Sequence, residues 1–259
     1  MTVSVRSDTA LTVNPPAVGV LAQFVVLVTL AAGVGLGPAG WLTGAAYALG
    51  TWVLLTRALR QPGVGGWGPA NTVTLARVTL VGGVTALVAD SLGGPAPLAV
   101  LVPLAAVALL LDAVDGQVAR RTRTTSPLGA RFDMEADSVL VLVLSVFVAV
   151  SVGWWVLAIG AFRYGFVAAA WALPWLRAPL PPRMSRKVVA ALQGIVLVVA
   201  SAGVLPRPVV IATVGLALAL LVWSFGRDVG WLRGQVAPRP MGALAPVVLG
   251  PEPAAQPAA

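Results

Sequence analysis

Eight apolar stretches follow one another between Val18 and Phe225 of this 259-residue chain, separated by short polar breaks. A helix needs about 20 consecutive apolar residues to cross the hydrocarbon core of a bilayer, and most of the stretches approach that length. They run from Val18 to about Gly37, Trp41 to about Leu59, Asn71 to about Val88 and Pro97 to Arg121, and then over Phe132–Val152, Trp154–Trp175, Lys187–Gly203 and Val209 to about Phe225. Only 10% of the residues are charged, against 58% hydrophobic, where a soluble domain carries about 25% charged residues. The reading is an all-α polytopic membrane protein. The first apolar run is too long for a secretory signal core and lacks the basic stretch before it, so it is expected to stay as a transmembrane helix.

The breaks divide the chain. Residues 1–16 form a polar N-terminal tail, 17–59 a two-helix transmembrane extension, and 60–70 a Gly/Pro-rich connector. Residues 71–234 make the core, and 235–259 a Pro/Ala-rich tail expected to be disordered.

Charge orients the spans. With eight crossings, both termini share a side with the connectors around 57–70, 121–132 and 176–187. All 17 basic residues except Arg163 and Arg207, that is 15, then fall on that side or at its span ends. Basic residues concentrate on the cytoplasmic side, so both termini are expected there, in a multi-pass protein of the cell membrane. The net charge of +8 reads as contact with anionic lipid. No nucleic-acid motif accompanies it, and nucleic acid is not expected as a partner.

The chain has no cysteine and no histidine. That removes disulfides, thiolate chemistry, imidazole bases and the usual zinc sites. Acid–base or metal chemistry must use carboxylates, which favour hard cations.

Five of the nine acidic residues lie between Asp112 and Asp137, in DAVDGQVARRTRTTSPLGARFDMEAD. Asp112 and Asp115 are three apart, and Asp133 and Asp137 four apart, so each pair shares a helix face. Glu135 is about 200° round from Asp133 at roughly 100° per residue and points elsewhere. Helix capping could account for Asp133. It does not account for Asp112 and Asp115, which follow the run AVLVPLAAVALLL near the end of a helix, where the dipole disfavours negative charge. Carboxylates gathered against apolar helices are costly without a cation between them.

The pattern Asp112-x2-Asp115-Gly116-x2-Ala119-Arg120-x8-Gly129-x3-Asp133-x3-Asp137 resembles, at all eight specified positions, the signature of the CDP-alcohol phosphotransferase family. Asn71-x2-Thr74-x2-Arg77 is similar to the start of that family's first core helix. Arg186, Lys187 and Gln193 resemble the G-K-x-K-T-x-x-Q region of its glycerophosphate-transferring members, with Arg186, Val189 and Ala190 standing for Gly, Lys and Thr.

The resemblance implies a six-helix transmembrane core, to which the first two helices are additional. It implies Asp112, Asp115, Asp133 and Asp137 as ligands of two divalent ions, Mg²⁺ or Mn²⁺, with Asp137 also the catalytic base. Asn71, Thr74, Arg77, Gly116, Ala119, Arg120 and Gly129 would bind the CDP-linked donor. Arg163, inside the sixth stretch, and Arg186 with Lys187 would bind the acceptor. For Arg163 an ion pair with one of the acids is the competing reading.

The expected reaction transfers a phosphatidyl-type group from a CDP-alcohol, favouring CDP-diacylglycerol, to an alcohol such as glycerol phosphate or inositol phosphate. CMP leaves, and the site faces the cytoplasm. A soluble CDP-alcohol with diacylglycerol as acceptor, or an amino-alcohol or serine acceptor, stays open. Relatives often pair, which allows a homodimer. Two other classes compete: a divalent-cation or proton-coupled transporter, which would need acids near the midplane on several helices, and an inert membrane scaffold, which would tolerate a broken motif.

Overall fold

A computed structural model describes residues 14–60, 69–122, 127–181 and 183–236. Most of the expected connector, the tail before Asn14 and the C-terminal tail after Val236 lie outside the described residues.

Among the described residues the chain is helical: α1 (Pro15–Val34), α2 (Pro38–Leu59), α3 (Pro69–Ser91), α4 (Leu98–Thr122), α5 (Pro127–Val152), α6 (Leu157–Ala172), α7 (Met184–Ser201) and α8 (Arg207–Val236). Short 3-10 turns at Trp154–Val156 and Pro174–Arg177 flank α6. The eight helices follow the eight apolar stretches, with shifted ends. The sixth stretch breaks at its turns, leaving 16 residues in α6. The eighth continues well past Phe225: α8 has 30 residues, about 45 Å at 1.5 Å per residue, and outruns a hydrocarbon core of about 30 Å.

Length and composition support six crossings among the described residues, carried by α1, α3, α5, α6 with its leading turn, α7 and α8. The apolar part of α4, Leu98–Val114, is shorter, and α2, diluted by Gly, Thr and Arg57, is not among the six. The protein is a multi-pass integral membrane protein. Large apolar side chains such as Leu21, Phe24, Leu110, Val150 and Trp223 are exposed on the outside of the bundle, as a lipid-facing surface requires.

The centre belongs to α3. It packs against α1, α2, α4 and α5, and Val78, Val81, Val84, Ala86 and Leu87 are buried along it. Small residues allow the close approach. A Cβ on Gly82 would run into the Gln23 side-chain amide of α1, and one on Gly40 of α2 would sit 3.0 Å from the Ala86 carbonyl oxygen. At the far end of α3, the Asp90 carboxylate accepts backbone N–H bonds from Gly37 at 3.0 Å and Gly40 at 3.4 Å. These are N–H groups of the first turn of α2, which have no partner within their own helix. An acid of the core helix thus caps a helix of the extension.

The two ends of the bundle can be told apart. Leu92, just past α3, and Arg207, at the start of α8, line one depression with Ala149–Trp154 at the end of α5. The first turns of α3 and α5 and the last turns of α8 therefore lie at the opposite end, where the acidic residues of the sequence motif gather.

Candidate active site

The third helix delivers the central side chain. Asn71, Thr74 and Arg77 recur every three residues along α3. Asn71 is half-buried, while Thr74 and Arg77 are enclosed, Arg77 with only 1% of its surface exposed. An arginine buried to that degree needs acidic partners, because an unpaired buried charge costs several kcal/mol. Arg77 has them on two neighbouring helices. Its Nη1 donates to Asp112 of α4. Its Nη2 pairs with the Asp133 carboxylate, donates to the Asp133 carbonyl oxygen at 2.9 Å, and lies 3.3 Å from the Asp137 carboxylate.

Asp133 and Asp137 stand beside Ala136 and Leu140, buried on α5. The helix begins at Pro127, so Asp133 is more than a turn inside it and is not a cap. Similarly, α4 continues from Asp112 to Thr122. Asp112 and Asp115 are therefore outside the last turn of α4, and the dipole penalty, confined to that turn, does not reach them. What brings the acids together is the packing of α4 and α5 on α3, not their place at helix ends.

One carboxylate oxygen from each of Asp112, Asp133 and Asp137 lies within 4.8 Å of the others. All three side chains are roughly 36–41% exposed, so the cluster is open on one side. Hard, anionic oxygens at this separation suit a small divalent cation. Gly129, near the start of α5, is half-buried. Asp115, Gly116, Ala119 and Arg120 are helical in α4, but their side chains lie outside the described residues.

The expected acceptor residues have partners of their own. Arg163 of α6 pairs through Nη2 with Glu135 of α5. The ion pair that the sequence held as the competing reading for Arg163 is present, and Glu135, which the helical angle turned away from Asp133, is the acid that makes it. Arg186 of α7 donates through Nε to Asp228 of α8 at 2.8 Å, and through Nη2 to the Pro181 carbonyl at 3.3 Å. Lys187 is exposed beside it. Gln193 is buried and donates to the Ala217 carbonyl at 2.9 Å, tying α7 to α8.

Sequence reasoning missed Asp228. It is buried at 4% exposure and is one of nine acids in the chain. An acid bordering an apolar stretch is a functional-site hypothesis by default, and its position three residues past Phe225, where the stretch was taken to end, hid it. Next to it, Arg227 donates to the Ser185 hydroxyl at 2.9 Å and stacks over Trp223, 4.7 Å from the ring centroid. The start of α7 and the end of α8 thus form a polar seam at the same end of the bundle as the carboxylate cluster.

A multi-pass helical bundle with three convergent aspartates on two helices, braced by a buried arginine from a third, defines a class: a membrane protein with a carboxylate centre at one end. Residues 67–224 match the family described as CDP-alcohol phosphatidyltransferase, and the chain belongs to that family. The matched region starts just before α3 and ends within α8, leaving α1 and α2 outside it. No curated protein and no solved structure matches the chain.

Proposed function

We propose that this protein transfers a phosphatidyl-type group from CDP-diacylglycerol to a polyol phosphate, such as glycerol phosphate or inositol phosphate, and releases CMP into the cytoplasm. The observation that carries this reading is the convergence of Asp112, Asp133 and Asp137 within the region matched to a transferase family.

The donor set fits a hard cation. Asp112, Asp133 and Asp137, with Asp115 by family resemblance, would hold two Mg²⁺ or Mn²⁺ ions. Bound there, such ions supply charge neutralisation for the donor diphosphate and the departing CMP. The rest of the chemistry falls to side chains. The acceptor hydroxyl oxygen bonds to the β-phosphorus, the bond from that phosphorus to the CMP oxygen breaks, and the hydroxyl proton passes to a base. In a chain without histidine a carboxylate takes that role, and Asp137 is the assigned one. By family resemblance, Asn71, Thr74, Gly116, Ala119, Arg120 and Gly129 would bind the CDP-linked donor. Arg77 reaches the same acids from beneath.

Arg186 and Lys187 suit an acceptor that itself carries phosphate. Asp228 and the Pro181 carbonyl engage two of the five guanidinium N–H donors of Arg186, which sets the direction of the remainder. Arg163, held by Glu135, joins the acceptor pocket if the acceptor displaces that carboxylate. Among the described residues the transporter reading gains nothing from the acids outside the cluster: Asp90 caps α2, Glu135 pairs with Arg163 and Asp228 with Arg186.

The test is CMP release from membranes carrying the protein, with CDP-diacylglycerol and a panel of acceptors, before and after EDTA treatment and on adding Mn²⁺. Metal-dependent release with a phosphorylated polyol is the expected result. No release with any lipid or soluble CDP-alcohol would overturn the enzyme reading, and release only with serine or an amino-alcohol would overturn the acceptor.

A further inference from the structure

Arg77 stands among the expected donor-binding residues, yet its observed partners are the acids. Its guanidinium, 1% exposed, reaches Asp112 on α4 and both Asp133 and Asp137 on α5. One side chain from the central helix thus links the two helices that carry the carboxylates. Its Nη2 also holds the Asp133 backbone carbonyl at 2.9 Å, so α5 is gripped by its main chain as well as by its acids.

Three carboxylates with ligand atoms inside 4.8 Å repel one another, and the repulsion is strong in a partly enclosed site. We propose that Arg77 is a positioning residue, a resident cation that keeps Asp112, Asp133 and Asp137 gathered when divalent ions are absent and tempers the affinity with which ions enter. This rests on the reading of those aspartates as metal ligands. The planar fork is what allows it: Nη1 serves α4 while Nη2 serves α5, a division that the compact charge of a lysine cannot reproduce. The positive charge beside the cluster also opposes an incoming cation. Arg77 therefore gives up metal affinity in exchange for an ordered metal-free site.

The two effects separate by substitution. The probe is Mn²⁺ alone, titrated into purified, EDTA-treated full-length protein in detergent, with the heat-denaturation midpoint followed with and without the ion. In Arg77→Gln the lost charge tightens Mn²⁺ binding by about tenfold or more, while the metal-free midpoint falls by about 5 °C and Mn²⁺ restores most of it. In Arg77→Lys the charge remains, so Mn²⁺ binds within about twofold of wild type, but the metal-free midpoint still falls because the two-helix bridge is gone. Equal or weaker Mn²⁺ binding by Arg77→Gln, or an unchanged metal-free midpoint in either variant, overturns the role. If Arg77→Gln does not survive extraction, the midpoint of Arg77→Lys decides alone. Wild-type protein that binds no Mn²⁺ overturns the metal reading itself, and this role with it; normal binding by the wild type with unaltered variants overturns only the role of Arg77.

Discussion

Arg77 and Asp112 form an ion pair across α3 and α4 in which the cation is enclosed and the acid is 39% open to its surroundings. The asymmetry gives the site its direction. The positive charge lies inside the bundle, and the carboxylates, each more than one-third exposed, keep an open edge.

Asp137→Asn removes the assigned base while keeping size and shape. Turnover is expected to fall by about 10²- to 10⁴-fold, the usual contribution of general-base catalysis. Binding of the CDP-linked donor, measured by equilibrium binding to the purified protein at saturating Mn²⁺, stays measurable. Near-normal turnover would move the base elsewhere.

Asp112→Asn replaces an anionic ligand with a neutral one. The Mn²⁺ concentration giving half-maximal CMP release should rise by about tenfold or more, since a lost charge–charge contact near a protein surface is worth over 1 kcal/mol. An unchanged metal requirement would remove Asp112 from the ligand set.

Asp228→Ala leaves Arg186 without its acid. Breaking a buried pair costs about 3–5 kcal/mol, but Arg186 is one-third exposed and solvent screens it, so about 1–2 kcal/mol of stability is expected. The more specific readout is kinetic. KM for a phosphate-bearing acceptor should rise more than KM for the CDP-linked donor, and a parallel loss in both would mean that Asp228 is only structural.

Gly40→Leu drives a side chain into Leu36 and the Ala86 carbonyl, and Gly82→Leu drives one into Gln23. Overpacking of this kind costs about 1–3 kcal/mol. Both variants should lower the heat-denaturation midpoint of the whole protein, because α1 and α2 are packed directly on the helix that carries Arg77. Two separate transitions, with the lower alone shifted, would show that the two-helix extension melts independently of the core.

Single cysteines at Thr124 and Ala178 should both react with a membrane-impermeant thiol reagent from the cytoplasmic side, the chain having no cysteine of its own. Labelling of the two from opposite sides would refute the eight-crossing topology.

The helices and the acidic motif were legible in the sequence because both are local. A run of apolar residues must become a helix in lipid whatever surrounds it, so all eight helices appear where the runs are. The spacing of Asp133 and Asp137 places them on one face of any helix. Their ends were less legible: α5 starts ahead of Phe132 and α8 runs on past Phe225, since polar turns of a helix that leaves the bilayer carry no apolar signature.

Partnership was not legible at all. Arg163 and Glu135 are 28 residues apart and Arg186 and Asp228 are 42 apart, and nothing in local spacing says which acid meets which base. The sequence alone determined that this is a helical membrane protein and that its rare carboxylates gather in one motif, since hydropathy and helical period act over a few residues. Only the tertiary structure decided that Arg77 is the cation beneath the cluster, that Glu135 belongs to Arg163, and that Asp90 ties α2 to α3. Those choices depend on which helix faces pack together, and close packing of small residues such as Gly40, Gly82 and Ala86 sets that over the whole bundle.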